Sequence, residues 1–195
     1  MVDWFSVRHD LGPTVVHIEP EEVALAVEAV RPEEARALMD MTSRMWRTEE
    51  LSAEVFERSA RYAIGLERVV ERWNLDALAH FDQCLLSDPR CGLAPSWGTS
   101  RLMARGIPVT AEADVGTATA MLMLQGLVGE TSFVENYGFD FNQGAAYIAH
   151  DSMGNPNMAA AEPQVALRHS VYYKGVHGWG AALEFAYRPG PVTFL

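Results

Sequence analysis

Residues 108–124 read PVTAEADVGTATAMLML. The run 107–111 has the character of a short strand, and an apolar helix follows over 114–128, stopped at Gly129. Asp114, with Thr117 three residues on, has the spacing of a helix cap. Glu112 falls just past the strand's carboxyl end, the rim at which open α/β sheets bind ligands. A helix N-terminus also favours a nearby carboxylate for purely electrostatic reasons. Glu112 therefore has two readings, a helix-start acid or a ligand-facing one.

Upstream, Pro20-Glu21-Glu22 and Pro32-Glu33-Glu34 each open a helix, because proline lacks the N–H that would be unpaired there. The second helix carries Ala35, Leu38, Met41, Thr42 and Met45 on one side. A third runs from Ser52 to Trp73, with Val55, Phe56, Ala60, Ala63, Leu66, Val70 and Trp73 at helical spacing. Residues 14–18 look strand-like, 75–86 read as a buried strand leading into a loop, and 86–98 as a long loop. A short helix over 99–105 ends at Gly106. Downstream, strands are expected over 132–141, 145–150, 165–173, 180–187 and 191–195. The predicted fold is α/β, a parallel sheet flanked by helices, followed by a β-rich, barrel-like portion that is incomplete. Residues 1–130 form the first unit and 131–195 the second. The terminal GPVTFL reads as the start of a strand, so the chain is expected to be a piece of a longer protein.

The 195 residues carry 49% hydrophobic and 21% charged side chains, an ordinary globular composition. A net charge of -11 with no Lys/Arg run disfavours a nucleic-acid partner. No apolar stretch approaches the roughly 20 residues that span a bilayer, and no secretory signal pattern is visible. Cys84 and Cys91 are seven apart, which is neither a zinc spacing nor a disulfide framework; free thiols and a cytoplasmic location are expected.

Two further segments carry chemistry. In SFVENYGFDF (132–141), Phe133, Glu135 and Tyr137 share a strand face. Glu135 must find a partner there if buried, or lie in solvent on an edge strand. In AAYIAHDSMGNP (145–156), Ala146, Ile148 and His150 share a face and His150 ends the apolar run, as a hydrogen-bonded core residue or a metal ligand. Glu112, Glu135 and His150 together would suit a divalent cation such as Mn²⁺, Co²⁺ or Mg²⁺ if they meet in space. His9, His17 and His80 belong to no such group, and His169 and His177 fall in the C-terminal strands. The glycine-rich YYKGVHGWG (172–180) lacks the context of a phosphate loop and reads as a bulged strand or hairpin.

The stretch 106–159 resembles the L-arabinose/L-fucose isomerase family. The carrying elements are Glu112 with Asp114 in an E-x-D element, Thr131-Ser132-Phe133 with Glu135 and Tyr137, and the apolar strand ending in His150. GTSRLMARGI (98–107) and RPEEARALMD (31–40) are similar as well. The resemblance implies a metal-dependent aldose–ketose isomerase acting on an open-chain pentose or 6-deoxyhexose through a cis-enediol. It implies that Glu112 and Glu135 are metal ligands and acid/base groups and that His150 is a ligand, with Mn²⁺ the expected ion. It also implies a homo-oligomer. The chain departs from the pattern at Asp151, where the family has an apolar residue, and in E-A-D-V for E-G-D-W. Family members are much longer, and the fourth ligand, a histidine, has no matching position; His169 or His177 would have to substitute. The alternative is a non-catalytic carbohydrate-binding or assembly module derived from such an isomerase.

Overall fold

The computed structural model describes residues 3–81, 83–171 and 177–195. A helical lead-in, Trp4–Ser6 and Val7–Leu11, gives way to an irregular stretch through residue 19. The strand-like reading of 14–18 is therefore not realised. Helices α1 (Pro20–Glu28) and α2 (Pro32–Met45) both start on proline. Helix α3 (Ala53–Trp73) begins at Ser52, whose hydroxyl accepts from the Val55 amide, and ends at Asn74 in the left-handed conformation. Its buried stripe includes Phe56, Ala60, Ala63, Leu66 and Val70 of the apolar positions at helical spacing, while Val55 is half-buried and Trp73 is exposed. Gly65 lets α1 approach α3 closely, since a Cβ there would lie 2.6 Å from Val27 Cγ2 and 2.9 Å from the Val27 Cα. In α2 the buried stripe is Ala35, Leu38 and Thr42; Met41 and Met45 flank it and are exposed.

Strand β1 (Leu78–Ala79) pairs in parallel with β2 (Val109–Thr110), Leu78 opposite Val109. This sheet is far shorter than expected. The chain turns after β1 through successive bonds from Cys84 N to Phe81 O, Leu86 N to Gln83 O and Asp88 N to Leu85 O. Helix α4 (Ser96–Ala104) lies between the strands, and α5 (Val115–Val128) follows β2. Two antiparallel pairs follow: β3 (Glu135–Asp140) with β4 (Ala145–Ala149), and β5 (Ala166–Val171) with β6 (His177–Glu184).

The fold is thus mixed, with one small parallel and two small antiparallel sheets, none of them closed. No barrel-like closure is seen among the described residues: neither antiparallel pair joins a third named strand, Arg47 adding a single parallel bridge to Ala166 of β5, and residues 191–195 are irregular and exposed. One hydrophobic core joins α1, α3 and the parallel pair through Val27, Tyr62, Leu66, Val109 and Met121. A second seats Leu167, Ala181 and Leu183 of the β5–β6 pair on Ala35, Phe56 and Trp97. Cys91 is a free thiol, and burial pushes it up to about 11. No helix among the described residues is long and apolar enough to cross a membrane. Residues 172–176, most of the glycine-rich segment, lie outside the described residues.

Candidate active site

Glu112 sits two residues past the end of β2, as expected just beyond the strand, and is exposed. Its backbone is left-handed at φ 54, and Ala113 follows at φ 58. Two consecutive left-handed residues that are not glycine are uncommon and costly, and such strain persists only when the surroundings enforce it. The enforcing bonds are visible. Ala113 N donates to His80 O at 3.1 Å and Asp114 N to Ala111 O at 3.2 Å. Thr110 Oγ1 donates to Asp114 O at 2.9 Å. Asp114 caps α5, its Oδ1 accepting from Thr117 N at 2.9 Å and its Oδ2 from the Thr117 hydroxyl at 2.6 Å. Burial opposes its charge, but these Thr117 bonds and the Gly116 amide prevail and hold its carboxyl below the usual range. The turn is a short, tightly bonded bracket with Glu112 at its apex.

Glu135 lies opposite Ala149 in the β3–β4 hairpin and is exposed. Its neighbour across the bulge is Tyr137, whose phenol is pushed up to about 12 by burial first and then by the charges of Asp151 and Glu135. Two carboxylates and a phenol therefore share one end of this hairpin. His150 adjoins them, its Nδ1 lying 3.5 Å from Asp151 Oδ1. The imidazole side chain is 6% exposed and packs on Phe133, ring centroids 5.1 Å apart.

Nδ1 of His150 accepts from the amides of Ser152 and Met153, each at 3.2 Å, with Ser152 Oγ at 3.1 Å. Amides can only donate, so Nδ1 carries the lone pair and the neutral ring holds its proton on Nε2. A ligand bond from Nε2 requires the proton to leave that nitrogen, and a proton moved to Nδ1 breaks both amide bonds.

Two carboxylates and an imidazole are donors a divalent cation such as Mn²⁺ accepts. Among the described residues, however, no group of three or more His, Cys, Asp or Glu is placed to hold a metal ion. Glu135, Tyr137, Asp151 and His150 come together, whereas Glu112, Glu135 and His150 do not form a finished triad. His169, one candidate for a fourth position, accepts from the Ser52 amide through Nε2 at 3.2 Å. The side chain of His177, the other, lies outside what the structure describes.

Sequence reasoning did not single out Asp151 as a neighbour of Tyr137, nor the polar network behind the TSF element. Ser132 Oγ lies 2.7 Å from the Tyr187 hydroxyl and accepts from Asn155 N at 3.0 Å. Asn155 is buried and donates to Thr131 O at 3.0 Å. This network fixes the entry to β3. The only signal for it in the chain was Asn155 one residue before a proline, a common turn pair.

No family model matches the chain. Among curated proteins, it is 26% identical to the L-arabinose isomerase of Saccharophagus degradans over 97% of this chain and 39% of that protein. It is 30% identical to that of Shewanella baltica over 73% of this chain and 29% of that protein. It is 32% identical to that of Vibrio parahaemolyticus over 58% of this chain and 24% of that protein. The chain thus spans between about a quarter and two-fifths of the length of these relatives.

Proposed function

Because this chain belongs to the L-arabinose isomerase-like family, we propose that it supplies acid–base residues of an aldose–ketose isomerase. The substrate is an open-chain pentose or 6-deoxyhexose. The observation that carries this reading is the identity of 26–32% to proteins named L-arabinose isomerase. The bracketed turn at Glu112 supports it, since strain at a strand's carboxyl end is the mark of a residue held for use.

In the reaction, one of Glu112 and Glu135 removes a proton from the carbon beside the carbonyl. A cis-enediol results, and a carboxylic acid returns the proton to the neighbouring carbon. The family resemblance assigns Glu112, Glu135 and His150 to a divalent cation such as Mn²⁺, a Lewis acid toward neighbouring sugar oxygens; the described residues of this chain alone do not gather them into a metal-holding group. The working protein is a homo-oligomer in the cytoplasm.

The test is ketose formation from pentoses and 6-deoxyhexoses by the chain with Mn²⁺. Product that disappears in Glu112→Gln and Glu135→Gln supports the reading. Saturable sugar binding without turnover favours instead a non-catalytic carbohydrate-binding or assembly module. The observation behind that second reading is the engagement of His150 Nδ1 by two backbone amides.

A further inference from the structure

Strand β1 has one paired edge and one open edge. Leu78 N donates to Pro108 O at 2.9 Å and His80 N to Thr110 O at 3.0 Å, both toward β2. Backbone groups alternate in direction along a strand, so the N–H and C=O of Ala79 point the other way. Among the named strands β1 pairs with β2 alone, and no described residue offers a backbone partner to Ala79 on its outer side. An edge of this kind is a template for another strand.

A cavity of about 670 Å³ runs along the open edge. Residues 77–81 all line it, whereas Val109 and Thr110 of β2 do not. Leu66 and Val69 of α3 and Ala118 and Leu122 of α5 wall it. Its polar side chains are at the rim, engaged or buried. Thr14, His17, Asn74 and Asp76 are exposed, the Thr119 hydroxyl donates to Val115 O at 2.9 Å, and His80 is buried. Residues 12–18 form another wall. The backbone of 13–18 makes no hydrogen bond to other backbone among the described residues, so displacing this stretch breaks none. A strand edge flanked by helices is the setting that a further strand occupies in an α/β layer.

We propose that this slot takes up one further β-strand, from polypeptide outside these 195 residues. The strand is about five residues long, the usual length. It is apolar on both faces, because α3 and α5 both meet it, and it carries a basic residue at an end. The charge follows from Asp76 at the rim and the net charge of -11. Backbone bonds to Ala79 give the affinity and the apolar walls select the side chains. The matched relatives have more than half of their length outside the region this chain covers, which is the source of such a strand. The proposal does not rest on the acid–base reading, and its readouts involve no sugar.

The test is titration of the intact chain with the capped peptide Lys-Val-Val-Ile-Val-Val-Lys, followed by calorimetry and by amide hydrogen exchange in nuclear magnetic resonance. Saturable binding is expected, with exchange of the Ala79 amide slowed by about tenfold or more at saturation. The same peptide N-methylated at every apolar residue lacks the donors of the ladder and binds more weakly by about tenfold or more. Ala79→Pro removes the outward N–H and keeps the bonds of Leu78 and His80 to β2, so it weakens the unmethylated peptide by a similar factor. If circular dichroism shows that variant unfolded, Leu122→Glu, which puts a charge into the wall, takes its place. The proposal is overturned by absence of saturable binding to the folded wild-type chain, by an unchanged Ala79 amide at saturation, or by a methylated peptide or a variant that binds as the originals do. It is also overturned if the Ala79 amide is already protected in the free chain together with those of residues 14–18, which would make the chain's own lead-in the occupant.

Discussion

Replacing Glu112 with glycine should make the protein more stable and less able to move a proton. The backbone at Glu112 has φ 54, a region that costs a residue with a Cβ about 1–2 kcal/mol and glycine nothing. Glycine also enlarges the unfolded ensemble, a loss of about 0.4–1 kcal/mol. The side chain is exposed, so little packing is forfeited. The difference leaves a net gain of about 0.5–1 kcal/mol. For a chain of this size that is a rise in melting temperature of about 1–4 °C. Ala113→Gly, at φ 58, is the matched control: it should stabilise by a similar amount and leave proton transfer intact. Urea unfolding of the three proteins reads the stabilities, and exchange of solvent deuterium into a sugar reads the chemistry. A Glu112→Gly protein less stable than the wild type by more than about 1 kcal/mol would refute the strain argument. It would mean that the side chain holds the turn rather than being held by it.

Other expectations follow from the packing and the charges. Gly65→Ala places a Cβ 2.6 Å from Val27 Cγ2 and 2.9 Å from the Val27 backbone, so α1 and α3 must separate. An overpacking cost of about 3 kcal/mol less a helix-propensity gain of about 1 leaves a loss of about 2 kcal/mol, read as a lower urea midpoint. The hydrogen bonds of Arg90 hold Asp88 down to about 2. Its folded value lies below its unfolded one, so the stability it confers is complete above about pH 4 and is lost as pH falls through about 2. Arg90→Ala should flatten that part of a melting-temperature profile. His80 is likewise depressed, by burial, to about 4. It contributes stability that is present above about pH 6.5 and lost as pH falls through about 4, a slope that His80→Leu should remove.

The helices were legible because their signals are local. Pro32 at a first turn, the apolar stripe of α3 and the Asp114–Thr117 cap each depend on residues within a turn or two of one another. The sheet was not, because pairing partners are distant in sequence. Residues 75–86 have strand composition, yet only Leu78–Ala79 finds a parallel partner before the turns at Cys84 and Leu86 carry the chain away. Residues 191–195 also look like a strand and have nothing described to pair with. At the site, the same limit applies. Spacing located Glu112 at a strand end and Glu135 beside Tyr137, while the left-handed turn under Glu112 and the amide bonds at His150 Nδ1 are properties of backbone path alone.

The most direct test of the central claim is nuclear magnetic resonance of L-arabinose incubated with the chain and Mn²⁺ in deuterium oxide. The account predicts deuterium at C1 or C2 of recovered sugar or its ketose, lost in both Glu112→Gln and Glu135→Gln. Incorporation that persists in both variants, or none with the folded wild-type chain, would contradict it.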